Sequence, residues 1–367
     1  MSSPGLADLV AEKSVVICCG PGGVGKTTTA GALGIAAAGS GRRACVVTID
    51  PAKRLADALG LDELSDTPRR IDDGDRWPGE LWALMLDTRS TFDALISRYA
   101  ESPEQAQGIL SNRLYRNITG ALSGTQEYMA MEKLYELHQD DRFDLVVVDT
   151  PPSRNALDFL DAPRRLGRFL DNRVFRILMT PTRAYLKAVS VATQTFLRTV
   201  SKVVGADVIA DAVAFFRAFE GMEQGFRDRA QAVEALLSDE TVAFALVVTP
   251  RRDAVAEGLF FAAKLADSGL SVDALVINRA HPAFGASPGP DRARAASLAG
   301  TPLAPLYANR ADLAELAERE RRHIATVAAD VDGASVVTVP FLADDVHDIA
   351  GLEEIAALLL ADGEGSG

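Results

Sequence analysis

The feature that most constrains this chain is the run Gly20-Pro21-Gly22-Gly23-Val24-Gly25-Lys26-Thr27-Thr28, which fits the pattern G-x-x-x-x-G-K-[ST]. A β-branched run, Ser14 to Cys19, precedes it, and an apolar run at helical spacing, Thr29 to Ala38, follows it. A strand, a glycine loop and a helix in this order form a cradle for phosphate groups. The sequence therefore predicts a nucleotide-binding loop rather than a chance glycine-rich turn.

Each residue type in this loop has a physical task. Glycines let the backbone bend sharply and bring its N–H groups close to phosphate oxygens. Lys26 would reach the β- and γ-phosphates and Thr27 would ligate Mg²⁺, while the N-terminus of the following helix adds positive potential. The residues that we assign to the nucleotide in this loop are Gly22, Gly23, Val24, Gly25, Lys26, Thr27 and Thr28.

Composition excludes several classes of protein. The chain has 367 residues, and no uninterrupted apolar run in it approaches the ~18 residues of a membrane helix. A net charge of −13 argues against binding to nucleic acid or to an anionic membrane. The N-terminus lacks a signal-peptide pattern, and the cysteines Cys18, Cys19 and Cys45 fall on predicted strands without metal-ligand spacing. We therefore expect a cytoplasmic protein with no integral membrane segment and no nucleic-acid partner.

Strand-like apolar runs alternate with helical patterns, which predicts an α/β fold of the P-loop NTPase type, with a mostly parallel sheet flanked by helices. The predicted strands are Val15–Cys19, Ala44–Ile49, Leu81–Leu86, Leu145–Val148, Ala243–Val248, Ala274–Ile277 and Val336–Val339. Residues 280–300 are predicted to form a loop. The sheet pattern breaks twice, so we predict a core of residues 1–90, 138–154 and 238–367, with helical insertions at 91–137 and 155–237.

The second insertion carries apolar helical faces beside basic residues. From Asp161 to Glu220 there are ten Lys or Arg and five Asp or Glu, in a chain that is acidic overall. These faces either pack on one another or line a groove for a hydrophobic client, and the sequence leaves both open. The groove would be lined from Val174–Met179, Tyr185–Val200 and Val208–Phe219.

Polar residues stand where three predicted strands end, at the edge of a parallel sheet where ligands bind. Asp50 follows the second strand and would orient the water that attacks the γ-phosphate, or alternatively cap the next helix. Asp149 ends an apolar strand, as the magnesium-holding Walker B aspartate of a P-loop NTPase does. Asn278 has a side chain able to pair with the adenine edge, although it also suits an ordinary strand end.

Taken together, these motifs resemble the family of arsenite-pump and tail-anchored-protein-targeting ATPases, within the deviant Walker A class of P-loop proteins. The matching motifs are Gly20 to Thr28, Asp50-Pro51-Ala52-Lys53 for D-P-A-H, Asp149 to Ala156 for D-T-A-P-T-G-H-T, Ile277-Asn278-Arg279 for V-N-Q, and Pro340-Phe341-Leu342 for P-L-L. More narrowly, the chain resembles actinobacterial members. The resemblance implies ATP and Mg²⁺ as cofactors, Pro340 and Phe341 as further nucleotide contacts, a helical client subdomain, and a dimer closed by ATP.

The sequence also departs from that family. Pro21 stands where relatives have a signature lysine that crosses the dimer to the partner's phosphates. Lys53 and the pair Arg154-Asn155 replace His and Gly-His in the two switch motifs. The C-x-x-C that joins some relatives through zinc is absent. Zinc-bridged dimerisation and arsenite pumping therefore fit this sequence poorly.

The leading hypothesis is an ATP-hydrolysing switch of the targeting or chaperone type that binds a hydrophobic client or a membrane-associated receptor. The alternative is the soluble ATPase subunit of an anion or metalloid transporter, which would need soft thiolate ligands. A positioning ATPase would need a terminal amphipathic helix or a basic face, and the acidic C-terminus offers neither. Because of Pro21, the dimer is either a slow homodimer or a heterodimer with a lysine-bearing paralogue, and the otherwise intact site favours the second.

Overall fold

The computed structural model describes residues 5–49, 54–71, 76–118, 125–151, 161–168, 218–282, 288–331 and 333–361, together with residues 211, 214 and 215. The chain forms two compact units. The first comprises Met1–Met85, Leu137–Leu157 and Ser238–Gly367, and the second comprises Leu86–Glu136 and Asp158–Leu237.

The first unit is built on one eight-stranded sheet with the order β3-β4-β2-β5-β1-β6-β7-β8. The strands are β1 Val15–Cys19, β2 Arg43–Thr48, β3 Arg69–Arg70, β4 Glu80–Met85, β5 Leu145–Asp149, β6 Val242–Val248, β7 Ala274–Ala280 and β8 Ser335–Pro340. Every described pair of neighbouring strands is parallel except β3 and β4, which are antiparallel. The carboxyl ends of β1, β2 and β5 to β8 therefore meet at one edge, where ligand sites of such sheets lie.

The helices are numbered in chain order across both units. They are α1 Leu6–Glu12, α2 Lys26–Gly39, α3 Arg54–Ala58, α4 Thr88–Tyr99, α5 Pro103–Leu110, α6 Arg113–Ile118, α7 Thr125–His138, α8 Glu223–Leu237, α9 Arg252–Asp267, α10 Pro288–Ser297, α11 Ala304–Asp330 and α12 Ile349–Ala361. Residues 161–168 are helical as well. None of the described helices combines the length and the apolar character needed to cross a membrane.

The predicted α/β fold with a mostly parallel sheet is confirmed, and each of the seven predicted strands is present with ends shifted by a few residues at most. β3 was not predicted, because two arginines carry no apolar pattern. The prediction of a loop over residues 280–300 was wrong for α10. Pro288 and Pro290 fall in its first turn, where a missing N–H costs no hydrogen bond. Asp291 then fixes α10 to α11 by accepting from Arg310 Nε at 2.6 Å.

Small side chains bring α2 against the sheet. A Cβ atom added at Gly34 would lie 2.4 Å from Val46 Cγ2 and 2.9 Å from Leu81 Cδ1, closer than packed atoms approach. All five residues of β1 are buried, as expected for a strand covered on both faces. Because this close contact sets where α2 lies on the sheet, it also positions the glycine loop between β1 and α2.

The described part of the second unit is helical and has an aromatic core. Asp87 caps α4 by accepting from the N–H of Ser90 at 2.8 Å, and Ser102 caps α5, which begins with Pro103. Its aromatic contacts join Phe92, Tyr99, Tyr115, Phe215, Phe219 and Phe226, with ring centroids 5.0 to 6.4 Å apart. The unit therefore folds around its own core.

Part of the predicted client groove falls in this core. Phe219 is 7% exposed and Phe215 packs against the same cluster, so the packing alternative holds for these two side chains. The groove segments Val174–Met179 and Tyr185–Val200 lie outside the described residues.

Candidate functional site

The glycine loop links β1 to α2 and adopts a backbone that only glycine tolerates well. Gly25 caps α2 with φ 97°, in the left-handed region, and an added Cβ would lie 2.2 Å from Asn278 Nδ2. Gly20 has φ 141°, and its Cβ would lie 2.1 Å from the carbonyl oxygen of Val247 in β6. Both positions need a glycine for two reasons, the backbone angle and the close approach of a neighbouring strand.

Lys26, the first residue of α2, is held inside the loop. Its side chain is buried, and Nζ donates to the carbonyl oxygens of Gly20 at 3.0 Å and Pro21 at 2.8 Å. The start of the helix adds its own positive potential at the same place. The arrangement gathers positive charge at the loop, which suits a polyphosphate ligand.

A buried cluster of two hydroxyls and one carboxylate lies beside the loop. Thr27 Oγ1 donates to Asp149 Oδ2 at 2.7 Å, and Thr48 Oγ1 donates to the same oxygen at 2.9 Å. Strand register explains the meeting, because Asp149 in β5 pairs with Cys18 of β1 and with Thr48 of β2. Asp149 is 1% exposed. Hydroxyl and carboxylate oxygens are the hard ligands that Mg²⁺ prefers, so the donor set fits this ion.

The two switch motifs are only partly described. Thr150, directly after β5, donates its Oγ1 to the carbonyl oxygen of Cys18 at 2.8 Å and anchors the start of the second motif. Asp50, the predicted water-orienting residue, lies outside the described residues, as do Lys53 and the pair Arg154-Asn155. The role of Asp50 therefore stays a prediction.

Asn278 is brought to the loop, where its side chain bonds to the loop backbone. Its side chain is largely buried in β7, and Nδ2 donates to the carbonyl oxygen of Val24 at 2.8 Å. The next residue, Arg279, has φ +60°, and the pairing of β7 with β8 is irregular from Ile277 to Ala280. In this structure the amide holds the glycine loop, and its contact with a base stays a prediction.

A cavity of about 360 Å³ opens beside the first half of the loop. Its lining includes Pro21, Gly22, Gly23, Val24, Thr249, Pro250, Arg251, Asp253, Ala254, Glu257, Arg279, His281, Glu320 and Phe341. Phe341 follows Pro340 at the end of β8, and its N–H donates to the carbonyl oxygen of Ala280 at 2.9 Å. Of the other predicted nucleotide residues, Phe341 lines this cavity, while Pro340 is the last residue of β8 and Thr28 lies farther along α2.

Sequence reasoning missed two residues of the cavity wall. His281 belongs to no motif in the sequence, yet its Nδ1 lies 2.9 Å from Glu320 Oε1 and its ring stacks on Phe341. Glu320 was not singled out. The pair is 39 residues apart in the sequence and is joined only by the fold, so no local motif could have revealed it.

The cysteines offer no thiolate site. Cys18 and Cys19 lie in β1 and Cys45 in β2, and all three are buried. Burial raises the pKa of Cys18 and of Cys19, because a thiolate loses its hydration in the core. These thiols therefore stay protonated, while soft metal binding needs the thiolate. Within the described ranges, no group of three His, Cys, Asp or Glu side chains is arranged to hold a metal ion.

Comparison with known proteins agrees with this geometry. The sequence profile of the family described as anion-transporting ATPase matches residues 13–288. The chain belongs to this family. The match runs from the start of β1 through α9 and β7, so it includes the glycine loop, Asp149 and Asn278, and it confirms the resemblance inferred from the motifs.

Individual relatives are similar over part of their length. Protein Rv2184c of Mycobacterium tuberculosis is 28% identical over 276 residues, which is 73% of this chain and 59% of that protein. Protein SCO2128 of Streptomyces coelicolor is 29% identical over 269 residues, 73% of this chain and 62% of that protein. ATPase get3 of Aspergillus terreus is 28% identical over 173 residues, which is 46% of this chain and 49% of that protein. The matched segments thus span half to three fifths of these relatives.

Proposed function

We propose that this chain binds and hydrolyses ATP with Mg²⁺. The observation that carries the proposal is the cluster of Thr27, Thr48 and Asp149 beside a glycine loop that already encloses the ammonium of Lys26. A polyphosphate needs backbone N–H donors, one flexible cation and a hard-ligand metal site within a few ångströms of one another. These residues supply that combination.

Each residue of the site has a proposed role. Lys26 would exchange its bonds to loop carbonyls for bonds to the β- and γ-phosphates, and Thr27 with Asp149 would hold Mg²⁺. When bound, the ion would supply positive charge to the phosphate oxygens. Asp50 would orient the attacking water by accepting its proton. Asn278 and the Pro340-Phe341 pair would contact the base, by analogy with the family.

We further propose that hydrolysis drives a switch of the targeting or chaperone type, in which the helical second unit binds a hydrophobic client. Support comes from the family membership and from the apolar helical patterns in the predicted insertion at 155–237. Because Phe219 is buried and Phe215 packs against the same aromatic core, the proposed groove would be lined by other residues of that insertion. Photo-crosslinkers in Tyr185–Val200, with and without ATP, would test it, and no crosslinked hydrophobic client in either state would contradict it.

The alternative is the ATPase subunit of an anion or metalloid transporter, which the family description raises. Cys18, Cys19 and Cys45 are all buried, and the raised pKa of Cys18 and Cys19 keeps these two protonated, so the thiols are poor ligands for arsenite or antimonite. We therefore expect neither anion to stimulate ATP hydrolysis. A saturable stimulation that disappears when the cysteines are replaced would favour the transporter instead.

The proposed ATPase is tested by calorimetric titration with MgATP and by phosphate release. Lys26→Ala should weaken MgATP binding by about 10- to 100-fold, the size of a lost charge-assisted hydrogen bond or two. Lys264→Ala, which removes an exposed lysine of α9 paired with Asp267, is the matched control and should bind normally. Asp149→Asn should lose the dependence on Mg²⁺, and Asp50→Asn should bind ATP but stop turnover.

Two results would contradict the proposed ATPase. The first is no binding of MgATP by the unaltered chain. The second is equal binding by Lys26→Ala and Lys264→Ala. A normal rate in Asp50→Asn would leave the ATPase standing but would remove Asp50 from its role.

A further inference from the structure

Glu320 holds His281 at two points. Its Oε2 accepts from the backbone N–H of His281 at 2.8 Å, and its Oε1 lies 2.9 Å from the ring Nδ1. A carboxylate only accepts hydrogen bonds, so Nδ1 carries the proton and the ring plane is fixed. Glu320 is 8% exposed, and the two bonds offset the cost of burying its charge.

The fixed ring forms one half of an aromatic pair. The rings of His281 and Phe341 are nearly parallel, at 9°, with centroids 5.2 Å apart. Phe341 is nevertheless 55% exposed, so much of its ring is open to solvent beside the cavity. Both residues line the cavity that also touches Gly22 and Gly23 of the loop. An exposed ring of fixed orientation suits stacking with a flat ligand.

We propose that Glu320 is a positioning residue, which keeps His281 and Phe341 as a stacking platform for the base of the bound nucleotide. The inference rests on the proposed nucleotide binding and adds two residues to it, one of them on α11. The location argues for a base, because one cavity reaches from the phosphate-binding loop to the aromatic pair. Base stacking on aromatic rings is favourable and tolerant of base identity.

A second contact supports the role of α11. One turn along this helix, the Nδ1 of His323 lies 2.8 Å from the carbonyl oxygen of Pro250, which follows β6 and also lines the cavity. Through Glu320 and His323, α11 thus holds the chain after β7 and the chain after β6. Two anchored loops make the cavity wall rigid before a ligand arrives, which lowers the entropy cost of binding.

The test compares a ligand that has a base with one that lacks it. Glu320→Ala should weaken binding of MgATP by about 3- to 10-fold, the size of one or two hydrogen bonds, and raise KM more than it changes kcat. Binding of inorganic tripolyphosphate should not change. Glu320→Gln keeps an acceptor for the N–H of His281. Its affinity for MgATP should therefore lie between those of the unaltered chain and of Glu320→Ala. Glu315→Ala, on the same helix but paired with Arg292, is the matched control.

His281→Ala is the second variant in case Glu320→Ala does not fold, and it should weaken MgATP by about 5- to 100-fold, as for a lost stacking contact. Equal losses for MgATP and tripolyphosphate would overturn the platform, since the residues would then act on the whole site. Unchanged MgATP affinity in both variants would overturn it too. If the unaltered chain binds tripolyphosphate but not MgATP, the proposed ATPase itself is wrong, and not only the position assigned to the base.

Discussion

At the scale of single residues, Gly25 carries the most demanding requirement of the site. Its backbone lies in the left-handed region, and an added Cβ would lie 2.2 Å from Asn278 Nδ2. A side chain at this position would therefore be strained in two ways. Gly25→Ala should therefore weaken MgATP binding by about 5- to 100-fold, because a strained backbone of this kind costs ~1–3 kcal/mol and the loop would shift to relieve it. Calorimetric titration measures the loss, and thermal unfolding reports the change in stability.

Two further variants separate the causes. Gly39→Ala, at the end of α2, adds a Cβ that meets no atom within 4 Å and should leave binding unchanged. In an Asn278→Ala background, Gly25→Ala keeps the backbone strain but no longer meets the amide, so its added loss relative to Asn278→Ala alone should be smaller than in the unaltered chain. Normal binding by Gly25→Ala alone would show that the loop tolerates a side chain there.

Residues of the site differ in how far the sequence could predict them. Lys26, Thr27 and Asp149 follow from local motifs, because loop, helix start and strand end are encoded within a few residues of each. Thr48 could not be predicted as a partner of Asp149, since their meeting depends on the order of β2 and β5 in the sheet. The same holds for Glu320, whose contact with His281 depends on how α11 lies over the strand ends.

At the scale of elements, the apolar strands of the sheet were predictable and the edge strand β3 was not. A buried parallel strand is a short apolar run, and β1, β5 and β6 are such runs. β3 consists of two exposed arginines that pair with β4, so nothing in its composition indicates a strand. α10 was missed because proline and glycine at its start suggest a loop, although a first helical turn accommodates both.

The pairing of α7 with α8 allows a prediction of stability. Arg229 donates to Glu132 through Nε at 2.8 Å and through Nη2 at 2.5 Å, and its guanidinium lies 3.9 Å from the centre of the Tyr135 ring. The side chains of Glu132 and Arg229 are 3% and 11% exposed. Arg229→Met should destabilise the fold by about 3–5 kcal/mol, because it leaves a buried carboxylate without its counter-ion. Urea unfolding followed by circular dichroism measures this.

The control is an exposed pair that joins α8 to the helical residues 161–168. Arg164 and Glu234 are 47% and 42% exposed, so Arg164→Ala should cost less than about 1 kcal/mol. Replacing both members of the buried pair, with Glu132→Leu and Arg229→Met, should restore most of the lost stability, because no unpaired charge remains. A double variant as unstable as Arg229→Met would show that packing over Tyr135, not charge, dominates.

At the scale of the whole molecule, Pro21 determines how fast the dimer implied by the family resemblance could hydrolyse ATP. In the resembled family a lysine at this position crosses to the partner's phosphates, and such groups are worth roughly 10³–10⁵ in rate. The ring of Pro21 is buried here, and its carbonyl oxygen accepts from Lys26 Nζ at 2.8 Å. Proline has no charge and no N–H to offer a phosphate, so this position cannot activate a partner chain.

The purified chain alone should therefore hydrolyse ATP slowly. Pro21→Lys should raise turnover by about tenfold or more, a small part of what a charge acting across a dimer is worth. Pro21→Ala removes the ring without adding charge and should not raise turnover. Addition of a lysine-bearing paralogue should accelerate the unaltered chain if the heterodimer forms, because Lys26, Thr27 and Asp149 remain able to support hydrolysis here. Brisk turnover of the chain alone, unaffected by Pro21→Lys and by the paralogue, would contradict both the slow homodimer and the heterodimer.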